Sequence, residues 1–194
     1  MKQAIRYLIR FVFKIIYRVE VINREAVPAK GAVVLCSNHV RMLDMFFIGF
    51  KIPRLIHYMA KAELFRIPVI NLIIKYFGTF PVKRGTADIE AIKTAIQLVR
   101  EGHIVGTFPE GHRSKGKKNK ILKAKPGAAM IAVKGNVPVL PVALQGDYRL
   151  FSKVRVVFGE PYYLSTDSTK KYTSAELSEM SANIMKKVYS LMEE

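Results

Sequence analysis

A single cysteine, Cys36, excludes an intramolecular disulfide and any cysteine-cluster metal site. It lies in the apolar run Val33-Val34-Leu35-Cys36, where a buried structural thiol is the default. The lack of disulfides is compatible with a reducing cytosol. No stretch supplies the roughly 20 mostly uncharged apolar residues that a membrane-crossing helix needs. Nor is there an uninterrupted apolar centre followed by small residues at a cleavage site, so nothing reads as a cleaved signal. Repeats, low-complexity tracts and dividing linkers are missing as well, and 194 residues, half of them hydrophobic, fit one domain with a real core. No cluster of His, Cys and acidic residues offers a metal its ligands. Acidic residues are also scarce: fifteen Asp and Glu face thirty-two Lys and Arg, a net charge of +17. Such an excess implies an anionic partner: nucleic acid, an anionic bilayer, an acidic protein or a phosphorylated small molecule.

The basic residues are not scattered. Lys2, Arg6, Arg10, Lys14 and Arg18 recur at every fourth position of a segment otherwise rich in Ile, Leu, Phe, Val and Tyr. On a helix each step of four drifts by about 40°, so the five share one band. That pattern fits an interfacial helix, with its apolar face in the acyl boundary and its cationic face toward anionic headgroups. Residues 1–22 are therefore expected to form a membrane-associating helix, and residues 23–194 the domain behind it.

Beyond that helix, short apolar runs alternate with helical patterns. Expected strands are Ala32–Cys36, Arg54–Met59, Thr79–Val82, Ile104–Phe108, Val137–Leu144 and Val154–Phe158. A helix is expected from Ala87 to Arg100, with Ile89, Ile92, Ile96 and Val99 on one face and Gly102 as its stop. Another begins at Thr173 with Glu176 three residues on, a capping box, and carries Leu177, Met180, Ile184, Val188 and Leu191 as its stripe. Leu64–Phe77, with Pro68 placed to start a helix, serves equally well as a core helix or a membrane-facing one. Strand–helix alternation predicts a single α/β domain with a mostly parallel or mixed central sheet and helices on both faces. Pro141, inside an apolar strand, predicts an edge position or a bulge.

Four blocks carry chemistry. Ser37-Asn38-His39-Val40-Arg41-Met42-Leu43-Asp44 follows the first of these strands, at the kind of strand end where ligands bind in open α/β sheets. His39 and Asp44 would lie about 140° apart on one regular helix and could not meet. They meet if His39 is still in the loop and Asp44 folds back from the first turn of the next helix. The carboxylate would then fix the tautomer of the ring, leaving the other nitrogen to take a proton from a hydroxyl. Phe108-Pro109-Glu110-Gly111-His112-Arg113-Ser114 opens into the densest basic stretch, through Lys123 and Lys125. A turn with Gly, a carboxylate and an Arg suits phosphate recognition, though a solvated basic loop reads the same way. Phe80-Pro81-Val82-Lys83-Arg84-Gly85 sets two cations just before a helix start, a ready anion site. Val137-Pro138-Val139-Leu140-Pro141-Val142 has no titrating group, so its role would be shape, such as lining an acyl pocket.

In this order the blocks resemble those of the glycerolipid acyltransferase family, most closely its branch acting on lysophosphatidic acid. The resemblance spans roughly residues 31 to 160. His112 departs from the family, which usually has threonine there, and no catalytic role attaches to it. The resemblance implies transfer of a fatty acyl group from a thioester donor, acyl-coenzyme A or acyl-acyl carrier protein, to the free hydroxyl of 1-acylglycerol-3-phosphate. It implies His39 as general base and Asp44 as its orienting partner. Arg84, Glu110, Gly111 and Arg113 would position the glycerol phosphate, with Lys123 and Lys125 as helpers. No cofactor or metal is implied, and the expected location is the cytoplasmic face of the cell membrane, held peripherally. The rival readings are an acyltransferase for another acceptor, such as glycerol-3-phosphate, and a non-enzymatic membrane- or nucleic-acid-binding protein. The last of these expects basic residues interleaved with exposed aromatics, and neither basic segment provides them.

Overall fold

Runs of Val, Ile and Leu without a polar alternate are suited to strands covered on both faces, and they form the middle of the sheet. The computed structural model describes residues 11, 13, 15–83, 88–113, 124–164 and 170–193. Seven strands are β1 (Arg18–Ile22), β2 (Val33–Ser37), β3 (Ile56–Lys61), β4 (Phe80–Val82), β5 (Ile104–Thr107), β6 (Val139–Gly146) and β7 (Lys153–Phe158). Among the described residues, five α-helices lie between and after them: α1 (Asp44–Ile48), α2 (Pro68–Tyr76), α3 (Ile89–Arg100), α4 (Gly127–Gly135) and α5 (Ser174–Ser190). The strands lie in the order β1-β7-β6-β2-β5-β3-β4. Neighbours are parallel except β6 and β7, so the sheet is mixed, as the alternation predicts.

One face of the sheet is covered by α3, α4 and α5, through Ala95, Ile131 and Ile184 among others. The opposite face is closed by α1, with Phe47 and Ile48, and by Phe13 and Tyr17 of the N-terminal segment. Thr173 and Glu176 form the expected capping box at the start of α5. Pro68 stands in the first turn of α2.

One expectation is corrected and two are narrowed. Arg18 is the first residue of a strand, not the last cation of a helix, because β1 pairs with β7 from Arg18↔Lys153 to Ile22↔Val157. Residues 18–22 therefore belong to the sheet of the main domain, and helical residues reach only to Ile16. Lys2, Arg6, Arg10 and Lys14 lie outside the described residues. Second, Pro141 is not on an edge: β6 sits between β7 and β2. Val139 exchanges both backbone bonds with Tyr162, so Pro141, two residues on, turns the same way, toward β7. There Gly159 N–H donates to the Pro141 carbonyl at 2.9 Å. Two steps on β6 thus face three on the partner, the bulge that accommodates a residue with no N–H. Third, α3 turns Ala91, Ala95 and Val99 into the core, while Ile92 and Ile96 are half-buried and Ile89 is exposed.

Candidate active site

β2 ends at Ser37, and the chain enters α1 through a turn whose geometry is set by Asp44. Asp44, the first residue of α1, is fully buried. Its Oδ2 lies 2.6 Å from His39 Nδ1 and accepts the N–H groups of Val40 at 2.7 Å and Arg41 at 2.9 Å. His39 is in the loop and Asp44 in the following helix, which is the arrangement that lets a five-residue spacing close. A carboxylate at Nδ1 selects the tautomer protonated there and leaves Nε2 as the ring's acceptor.

Further contacts fix the imidazole and its surroundings. Phe108, just past the end of β5, stacks on the His39 ring at 4.1 Å and 18°, and Tyr58 of β3 is stacked on Phe108 at 5.8 Å and 14°. Gly106 lies directly under Tyr58, where a Cβ would stand 2.3 Å from the ring. Asn38 completes the strand end: its amide donates to the Leu144 carbonyl at 2.9 Å and accepts the Leu144 N–H at 2.8 Å, tying β2 to β6. Tyr148, with a left-handed φ of 57°, packs edge-on against Phe47 of α1 at 5.2 Å. Burial, and then the Asp44 charge, push its phenol above the ordinary range. Burial holds the Cys36 thiol up at about 12, against the contact with Thr107 Oγ1 at 3.3 Å, so the cysteine is structural.

Glu110, expected to face a substrate, faces inward. It is fully buried; Oε2 accepts the His39 N–H at 3.2 Å, and Oε1 accepts the hydroxyl of Tyr189 from α5. Glu110 therefore braces the histidine turn from beneath instead of reaching the cleft. Gly111 and Lys125 do reach it. Gly111 has φ +72°, and a Cβ there would stand 2.6 Å from Lys125 Cε, so the lysine side chain crosses directly over the glycine. Arg113, two residues after Gly111, is exposed and is not part of the cleft lining. Arg84 and Lys123 lie outside the described residues.

His39, Gly111 and Lys125 line a cleft of about 570 Å³. Its apolar wall comes from Ile89, Ile92 and Ile96 of α3, Met130 and Ile131 of α4, and Phe108. Val139, Leu140 and Val142, expected to line an acyl pocket, are instead fully buried in the core. The face that carries Ile89, Ile92, Ile96 and Val99 is divided between core and cleft, with Val99 and the alanines packing inward. Tyr189 had no signal in the sequence, Phe108 stood there only as the first residue of its block, and the cleft-facing isoleucines showed only the step of three or four that separates Ile89, Ile92 and Ile96.

A cleft at the carboxyl ends of β2 and β5, charged at one part and apolar along another, is the ligand site of an α/β enzyme. The family model "Acyltransferase" matches residues 18–145, which include the whole of the His39–Asp44 turn. A 1-acyl-sn-glycerol-3-phosphate acyltransferase of Bacillus subtilis is 38% identical over 151 residues, 75% of this chain and 74% of that protein. One from Borreliella burgdorferi is 32% identical over 144 residues, 70% of this chain and 54% of that protein. Among solved structures, the 1-acyl-sn-glycerophosphate acyltransferase PlsC of Thermotoga maritima matches with a TM-score of 0.71 and 25% identity, covering all of this chain and 82% of the other. The chain belongs to the acyltransferase family and is an acyltransferase.

Proposed function

We propose that this enzyme moves a fatty acyl group from a thioester donor to the free hydroxyl of 1-acylglycerol-3-phosphate, with His39 as the general base. The observation that carries the reading is the 2.6 Å contact between His39 Nδ1 and Asp44 on the wall of a cleft that is apolar along α3 and cationic at Lys125. His39 Nε2 takes the proton of the acceptor hydroxyl as its oxygen attacks the thioester carbonyl. Asp44 stabilises the imidazolium that forms. As the tetrahedral intermediate collapses, the sulfur leaves and the proton returns from Nε2 to the thiolate. The thioester supplies the driving force, so the protein has to provide a base, a phosphate clamp and an acyl channel. Lys125 and Arg113 serve the phosphate, joined by Arg84 and Lys123. The isoleucine wall holds the acyl chain.

The relatives' names support 1-acylglycerol-3-phosphate as acceptor over glycerol-3-phosphate. Among the described residues no helix is long and apolar enough to cross a membrane. We place the enzyme at the cytoplasmic face of the cell membrane, where its N-terminal cations meet anionic headgroups. The test is an acyl-transfer assay read by mass spectrometry, offering lysophosphatidic acid, other lysophospholipids and glycerol-3-phosphate, each with coenzyme A and acyl carrier protein thioesters. The wild type should acylate lysophosphatidic acid fastest, and His39→Ala should lower that rate by about 10²–10⁴. A wild type that acylates no acceptor would overturn the reading.

A further inference from the structure

A helix covering the edge of a sheet normally turns its apolar stripe inward, yet α2 has no buried residue at all. Val69, Leu72 and Ile73, spaced to share one stripe, are 69%, 75% and 47% exposed, and Ile67 just before the helix is 46% exposed. This is the outward side: the end of the element is held to the protein by Phe77, which meets Phe46 of α1 edge-on at 5.3 Å. Phe46 in turn meets Phe13 of the N-terminal segment at 5.8 Å. Phe11 and Ile15 of that segment, and Met42 in the turn between His39 and Asp44, are exposed as well. The N-terminal segment, α1 and the end of α2 thus touch one another through these rings, and each of these elements or the turn leading into it carries exposed apolar side chains.

Position gives the face a purpose. α2 connects β3 to β4, and Met59 of β3 with Val82 of β4 and Lys83 just after it line the active-site cleft. Arg66 and Lys75, both exposed, stand just before the helix and near its end. An apolar stripe between two exposed cations is complementary to a leaflet with anionic headgroups over hydrocarbon. We infer that α2 is a second membrane-contact element, which lays Val69, Leu72 and Ile73 into an anionic bilayer and brings the mouth of the cleft to the lipid acceptor. This rests on the reading of the acceptor as a lysophospholipid. The cations hold the headgroup level, the stripe enters the acyl boundary, and a single-chain lipid can pass from the leaflet into the cleft without crossing water.

The chain contains no tryptophan, so Leu72→Trp introduces the sole indole. Vesicles of phosphatidylglycerol with brominated acyl chains should shift its emission to the blue and quench it. Tyr163→Trp, at an exposed position after β7 and beside the amino end of β6, should do neither. An L72W protein that sediments with the vesicles but is not quenched overturns the inference, as does one that fails to bind them. An indole already shielded without lipid also overturns it, and dilution tells whether a second copy or the chain itself covers the face. In parallel, Leu72→Asp should lower turnover of bilayer-embedded lysophosphatidic acid about tenfold or more while sparing a short-chain, water-soluble acceptor. Equal loss on both acceptors would mark a folding defect and count against the inference. The quenching readout needs no turnover, so it stands or falls separately from the assigned reaction.

Discussion

Glu110 holds two donors inside the protein, the His39 N–H on one oxygen and the Tyr189 hydroxyl on the other. Burial, followed by the Glu110 contact, pushes the Tyr189 phenol above its ordinary range, so it acts as a donor throughout the working pH range. Tyr189→Phe keeps the ring and removes the donor, leaving Oε1 of a fully buried carboxylate without its partner. The expected cost is about 1–3 kcal/mol of stability. Because the carboxylate also holds the turn carrying His39, kcat should fall while KM stays near the wild-type value. Kinetics beside a denaturant melt check this; lost stability with intact kcat would confine Tyr189 to a structural role. The sequence reveals the residues of this site better than their directions. His39 and Asp44 are legible because a five-residue spacing can close in only one arrangement, and that geometry can be reasoned out. Glu110 in a Pro-Glu-Gly turn could face either way, and the tyrosine that settles it sits far along the chain on another helix.

At the scale of elements, α3 serves two surfaces. Ala91 and Ala95 let it approach α4 closely, and Ile92 and Ile96 wall the cleft. Ile96→Phe should therefore disturb the core little and shorten the space for an acyl chain. Each methylene excluded from an apolar channel is worth about 0.8 kcal/mol. Long-chain donors should lose more rate than short ones, which a competition assay with mixed chain lengths reads directly; equal loss across lengths would place the chain elsewhere. Gly159 marks a second element-level constraint, since a Cβ there would stand 2.9 Å from Pro141 Cγ and 3.1 Å from Leu191 Cδ1. Gly159→Ala should lower stability by about 1–3 kcal/mol, measured by chemical denaturation, with the cleft unaltered. The strands and helices were legible from apolar runs, caps and stops. The bulge at Pro141 was half legible: a missing N–H demands an irregular partner, but not that the strand be interior. The pairing of β1 with β7 joins distant segments, and an amphipathic helix pattern runs on into Arg18 without a break. α4 was missed because Gly127–Gly135 is apolar nearly all round and shows no polar face.

For the whole molecule, net charge and exposed apolar surface make separable demands on a membrane. The +17 charge attracts anionic lipid over distances of about a Debye length, roughly 10 Å at 0.1 M salt and 3 Å at 1 M. Contact through Val69, Leu72 and Ile73 is apolar and does not weaken with ionic strength in the same way. Raising salt from about 0.1 to 1 M should therefore strip most of the protein from anionic vesicles. The fraction that stays should be removed by Leu72→Asp, and turnover on a water-soluble acceptor should change little. Sedimentation of wild type and L72D with anionic vesicles across that range checks the division. If salt alone releases everything, the attachment is electrostatic and α2 contributes nothing to holding the enzyme. If salt releases nothing, the charge serves the phosphate-bearing substrate and not the bilayer. A biphasic loss, with the second component belonging to α2, is the result that fits a cleft whose lysines face the substrate while its neighbouring helix faces the lipid.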